Sequence, residues 1–134
     1  MRLCPPAWGI GREAKQDIDL DRYVIPRGTQ IFLAQWVTHR DPRLFADPQR
    51  FEPERFDRVA RRRIPRYAYF SFGGGPRICI GARFAMLETV LLLAAIMRHF
   101  RIELAPGHPV ELQPAVTLRP RHGIRARVYA RRVM

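Results

Sequence analysis

One stretch of this 134-residue chain, residues 81–100, can make a long helix, because its 12 prolines divide the rest into short blocks that suit turns and brief strands. At the standard rise that helix spans about 30 Å. Its first half sets Phe84, Leu87 and Leu91 beside polar Arg83 and Glu88, whereas residues 90–97 are apolar on every face. The sequence therefore predicts a helix whose second half is buried. That apolar run is far short of the roughly 20 residues a membrane span needs, and no secretory signal precedes it. The expectation is a cytoplasmic chain without a membrane span.

Around this helix the sequence predicts an α+β arrangement. Pro5 and Pro6 exclude a helix interior near the start and imply an extended segment leaving a preceding element. Residues 23–25 and 30–33 are β-rich and flank the turn Pro26-Arg27-Gly28-Thr29, which reads as a β-hairpin. Residues 40–65 are polar, rich in Pro and Arg and without sustained period, so they should form a long irregular meander with short helical turns. Beyond Pro106-Gly107, apolar Ile124, Ala126 and Val128 alternate with Arg125 and Arg127, predicting a terminal β-hairpin within residues 110–128.

With 47% hydrophobic and 27% charged residues, the chain should form one compact unit rather than a disordered segment. Its 24 basic and 12 acidic residues give a net charge of +12. All the basic residues except Lys15 are arginines, dense only in residues 58–66 and 119–132. Such a charge fits a polyanion-binding surface, although no nucleic-acid recognition motif accompanies it. The two cysteines, Cys4 and Cys79, support neither a disulfide framework nor a zinc knuckle.

Cys79 lies between a glycine-rich loop and the start of the helix, where unpaired N–H groups and the positive helix end favour a thiolate. The same loop fails as a phosphate cradle. Ile78 stands where G-x-G-x-x-G needs its third glycine, and no Lys-Ser/Thr pair follows. A cysteine phosphoryl-transfer loop would want an arginine six residues after the cysteine, where Ala85 stands.

Phe72-Gly73-Gly74-Gly75-Pro76-Arg77-Ile78-Cys79-Ile80-Gly81 resembles the F-x-x-G-x-R-x-C-x-G haem-thiolate signature of the cytochrome P450 monooxygenases, matching every fixed position. Other blocks resemble the family in the same order. Arg2-Leu3-Cys4-Pro5-Pro6 is similar to the end of E-x-x-R-L-x-P-P without its glutamate, and residues 23–29 to Y-x-I-P-x-G-T. His39-Arg40-Asp41-Pro42 is similar to H-R-D-P, and residues 51–56 to F-x-P-E-R-F. The resemblance covers essentially residues 1–134 and implies the C-terminal part of a single P450 domain, whose complete fold is mainly α.

The resemblance implies haem b with Cys79 as axial thiolate and iron ligand, the chemistry by which haem proteins of this family favour O–O cleavage. Gly75 and Gly81 would permit tight backbone and bring N–H groups close to the sulfur, and Phe72 would wall the loop. Arg77 would pair with a haem propionate, and Arg12 matches another propionate-binding position. An exposed surface arginine competes as the reading of Arg12, as does a hydrogen-bonded structural histidine for His39, whose other reading is a propionate contact. Ala7, Trp8 and Ile10 would fall on a substrate-facing strand. Arg55 matches the arginine that joins the E-x-x-R pair; with that glutamate absent, it should swing to solvent unless Glu52 or Glu54 substitutes.

For the complete protein the resemblance implies an oxidoreductase acting on paired donors, placing one atom of O2 into a small organic substrate. Electrons would come from a ferredoxin or flavoprotein reductase docking on the basic face formed by Arg58, Arg61, Arg62, Arg63 and Arg66. Two alternatives stand beside it: a catalytically inactive haem-binding remnant, and a basic nucleic-acid-binding module resting on charge alone. A chain lacking the family's upstream helices should expose residues 90–97 and aggregate.

Overall fold

Short β-rich blocks separated by prolines give short strands, and the sheets are correspondingly narrow. The computed structural model describes residues 1–131, so Arg132, the last of the C-terminal arginine group, lies outside the described residues. The strands are β1 (Ile10–Glu13), β2 (Ile18–Leu20), β3 (Tyr23–Ile25), β4 (Gln30–Leu33), β5 (Phe100–Leu104), β6 (Leu112–Pro114), β7 (Leu118–Pro120) and β8 (Ala126–Ala130). They pair as β1 with β4, β2 with β3, β5 with β8 and β6 with β7, all antiparallel.

The pairing is nested. The β2–β3 hairpin is an excursion from the β1–β4 ladder, and the β6–β7 hairpin is an excursion from β5–β8. The predicted hairpin between residues 23–25 and 30–33 is therefore corrected: both blocks are strands, but they belong to different ladders. The turn at Pro26–Thr29 forms, with the Thr29 N–H on the Pro26 carbonyl at 3.2 Å and Gly28 at φ +84°. Its Gly28 N–H then donates to Ala14 at 2.8 Å, and the Arg27 N–H to the Asp17 carboxylate at 2.8 Å. Those partners lie upstream, so the turn hands β4 to β1.

The predicted terminal hairpin is corrected in the same way. Residues 112–120 do form a hairpin, β6–β7, but the alternating strand β8 pairs with β5, with Ile102 opposite Val128. The meander is as expected, irregular with 3-10 turns at Pro53–Phe56 and Ala60–Arg63.

The long helix, α2 (Ala82–His99), forms where the apolar periodicity puts it, ending with Arg98 and His99 beside its negative C-terminal end. Its burial does not follow. None of its residues is buried, and Phe84 (71%), Leu87 (60%) and Leu91 (59%) stand largely in solvent. A helix apolar on every face needs neighbours on every side. The main contact of α2 with another element is β5, and through Met86 and Thr89 it borders a cavity of about 320 Å³ shared with Phe51, Phe56 and Tyr69.

The buried centre lies elsewhere, between the N-terminal segment, the short helix α1 (Gln35–Thr38) and the residues leading into the cysteine loop. It comprises Pro5, Phe45 and Ala68 with the polar side chains of Arg2, Gln35, His39 and Ser71, while Ala14 is buried separately at the far end of the β1–β4 ladder.

Candidate functional site

The cysteine loop owes its shape to two glycines. Gly73 (φ +75°) and Gly75 (φ +66°) occupy the left-handed region, which is strained for any residue with a Cβ. The loop then closes on itself, with the Cys79 N–H on the Phe72 carbonyl at 2.9 Å and the Ile78 N–H on the Gly75 carbonyl at 3.1 Å. The tight backbone expected at Gly81 is absent. Its φ is −82°, and a Cβ there would stand 3.9 Å from the Cys79 sulfur, an ordinary contact.

The expected N–H donors to sulfur are absent too: among the described residues no N–H donates to Cys79 Sγ. The nearby Ala82 N–H turns instead to the Cys79 carbonyl at 3.3 Å, leaving the exposed sulfur free to face outward.

Cys79, Phe72, Gly73 and Arg77 line one face of a solvent-open cavity of about 360 Å³, and Arg12, Ile10 and Ala7 line another. Residues far apart in sequence thus converge on one space. Trp8 is not among them; its indole N–H donates to the Ala115 carbonyl at 2.8 Å, tethering the β6–β7 hairpin. The only polar contact of the Arg12 guanidinium is the neighbouring Gly11 carbonyl at 2.8 Å, and neither Arg12 nor Arg77 has a carboxylate partner among the described residues. Two uncompensated guanidiniums and one thiol facing the same cavity suit a flat, dianionic, thiolate-ligated group such as haem.

His39 lies outside that cavity, fully buried. Its Nε2 accepts the Phe70 N–H at 3.0 Å, and burial pushes its pKa down to about 4, helped by the charges of Arg2 and Arg40. One α-helical turn earlier, fully buried Gln35 donates from Nε2 to the Phe70 carbonyl at 2.7 Å. Sequence reasoning passed over Gln35, although its spacing of four from His39 put both on one helical face.

Tyr67, an aromatic leading into the cysteine signature, also shapes the loop. It holds φ +64° and lays its ring where a Cβ of Gly74 would stand, so the glycine at position 74 makes room for an aromatic wall.

Arg55 does not swing to solvent. Glu52 takes the missing carboxylate's place, with its Oε2 2.5 Å from Arg55 Nη2, and the Arg55 side chain is only 14% exposed. Arg2 sits beside them, donating to the carbonyls of His39 (2.7 Å), Pro48 (2.6 Å) and Arg50 (3.0 Å). Burial and the Arg55 charge lower its pKa, while Glu52 opposes the shift.

Comparison with known proteins gives the family of the chain. The family profile described as Cytochrome P450 matches residues 1–125. Cytochrome P450 132 of Mycobacterium tuberculosis is 50% identical over 123 residues, covering 92% of this chain and 26% of that protein. Thromboxane-A synthase of Sus scrofa is 37% identical over 133 residues, covering 98% of this chain and 25% of that protein. This chain therefore spans about a quarter of the length of the curated relatives it matches. A solved structure of a retinoic-acid-bound cyanobacterial CYP120A1 superposes with a TM-score of 0.90 at 35% identity, covering 96% of this chain and 30% of that one. A profile match over residues 1–125, joined to that structural likeness, shows that the chain belongs to the cytochrome P450 family of haem-binding monooxygenases.

Proposed function

We propose that residues 1–134 form the C-terminal, cysteine-ligating part of a single P450 domain, with haem b held through the Cys79 thiolate. The observation that carries this reading is the convergence of Cys79, Arg77 and Arg12 on one cavity, with no carboxylate among the described residues to neutralise the arginines. Bound there, haem supplies the oxygen-activating redox chemistry of the family. This chain's residues do the holding: Cys79 ligates, while Arg77 and Arg12 each donate to a propionate. Phe72 and Ile10 exclude water from the ring face. Gly75 gives the loop its turn, and Gly81 leaves the flank of the sulfur open. His39 is buried against Phe70, which favours the structural reading over a propionate contact.

In the complete protein we assign the insertion of one oxygen atom from O2 into a small organic substrate. Arg58, Arg61, Arg62, Arg63 and Arg66 are all exposed, and Arg66 stacks over the Tyr67 ring that abuts Gly74. That basic surface beside the loop suits an acidic ferredoxin or flavoprotein reductase.

Haem titration tests the reading. Arg77→Gln should weaken haem affinity by about 10- to 100-fold, as for loss of a charge-assisted hydrogen bond, and Arg12→Gln by a smaller factor. Equal affinities for the wild type and both variants would contradict the assigned roles.

A further inference from the structure

We propose that Gln35 and His39 form a two-point clamp on the backbone of Phe70 that positions the cysteine loop. The clamp is built by one helical turn. Gln35 and His39 stand four residues apart on the face of α1 and its C-terminal cap, both fully buried. Gln35 Nε2 donates to the Phe70 carbonyl at 2.7 Å, and His39 Nε2 accepts the Phe70 N–H at 3.0 Å. Two side chains thus satisfy both backbone groups of one residue, as a neighbouring strand would.

Phe70 is a point of leverage. Its carbonyl also accepts the Gly73 N–H at 2.7 Å, and two residues on the Phe72 carbonyl accepts the Cys79 N–H at 2.9 Å. Fixing Phe70 therefore holds the Gly73 hydrogen bond that opens the loop, two residues before the Phe72 carbonyl that closes it on Cys79. Gln35 and the buried Ser71 also line the cavity that Cys79 and Arg77 face, so the clamp reaches the site directly. Rings close the clamp on its other sides, with Tyr69 5.0 Å and Phe70 5.4 Å from the His39 ring.

Accepting the Phe70 N–H requires an unprotonated Nε2, so the clamp holds only while His39 is neutral. The charged groups near the ring are Arg2, whose guanidinium donates to the His39 carbonyl, Arg40 and the Met1 amino group, with Tyr69 as the adjacent titratable ring. All three charges are positive and, with burial, oppose a proton on the ring, outweighing the Arg2 backbone, which favours one. The folded-state pKa lies below the ordinary value of 6.5, so the clamp is intact at neutral pH and is lost as pH falls toward about 4.

The clamp stands on geometry alone; only its consequence for ligation rests on the reading of Cys79 as the haem ligand. Hydrogen–deuterium exchange of the haem-free chain, expressed as protection factors, tests it without haem. His39→Phe should lower the protection of the Phe70 and Cys79 amides by about tenfold or more, with the β5–β8 ladder unchanged. His39→Gln, which keeps an acceptor but cannot titrate, should restore protection and remove its loss in acid. Unchanged protection at Phe70 and Cys79 in His39→Phe would overturn the clamp. So would a loss spread evenly over the chain that His39→Gln fails to rescue. A second readout, the ferrous–carbonyl Soret band of haem-loaded chain, should weaken in His39→Phe and recover in His39→Gln. Absence of that band from the wild type would count against the haem reading alone, since the exchange result decides the clamp.

Discussion

In sedimentation or light scattering the isolated chain should run as assemblies rather than as a monomer, and replacing Leu87 and Leu91 together by lysine should shift it toward the monomer. The reason is the apolar surface of α2, where Phe84, Leu87 and Leu91 share one face and Leu92 and Leu93 carry the apolar surface round the helix, each more than half exposed. Monomeric proteins rarely leave a contiguous apolar patch of this kind uncovered. Each leucine sheltered in a self-contact contributes roughly 1.5–3 kcal/mol, so the double substitution should weaken association by about a hundredfold or more. The relatives are some four times as long, and the remainder of their fold offers the natural cover. A wild-type chain that stays monodisperse at high concentration would remove this explanation of the apolar run.

Glu52→Gln should destabilise the chain by about 2 kcal/mol, between the values typical of surface and buried ion pairs. Among the described residues Glu52 is the one carboxylate paired with Arg55, at 2.5 Å, and the adjacent Arg2 is buried with its own positive charge. Without it, two guanidiniums would share a desolvated corner with no counter-charge. Glu54→Gln is the control, because Glu54 is exposed and its loss should change stability by less than about 0.5 kcal/mol. Denaturant melts of the two variants decide the matter, and equal losses would show that Glu52 is no surrogate.

The site was more legible in the sequence than the sheets. Cys79, Arg77 and Phe72 occupy a contiguous block whose geometry is local, set by Gly73 and Gly75, so adjacency put them on one loop, while their roles came from the resemblance to the family signature. The helix was equally plain, because its period is local. Strand partners are not local. The turn at Pro26–Thr29 looks like a hairpin turn and is one in shape, yet Ala14 and Asp17 capture its backbone and send β4 to β1. Likewise nothing within residues 110–128 announces that β8 will cross to β5. The burial of α2 was misjudged for another reason: apolarity records what a helix requires, and the covering surface is not among these residues. Glu52 was visible as a possible substitute, but the choice between an ion pair and an arginine in solvent depended on how Arg2 anchors to three carbonyls. Gln35 left only its spacing from His39 as a signal.

The most direct test of Cys79 as a haem ligand is the absorption spectrum of the chain reconstituted with haem, reduced and exposed to carbon monoxide, beside Cys79→Ser. A thiolate-type Soret band in the wild type, lost in the variant, is the predicted result. The same band in both proteins would contradict Cys79 as the ligand.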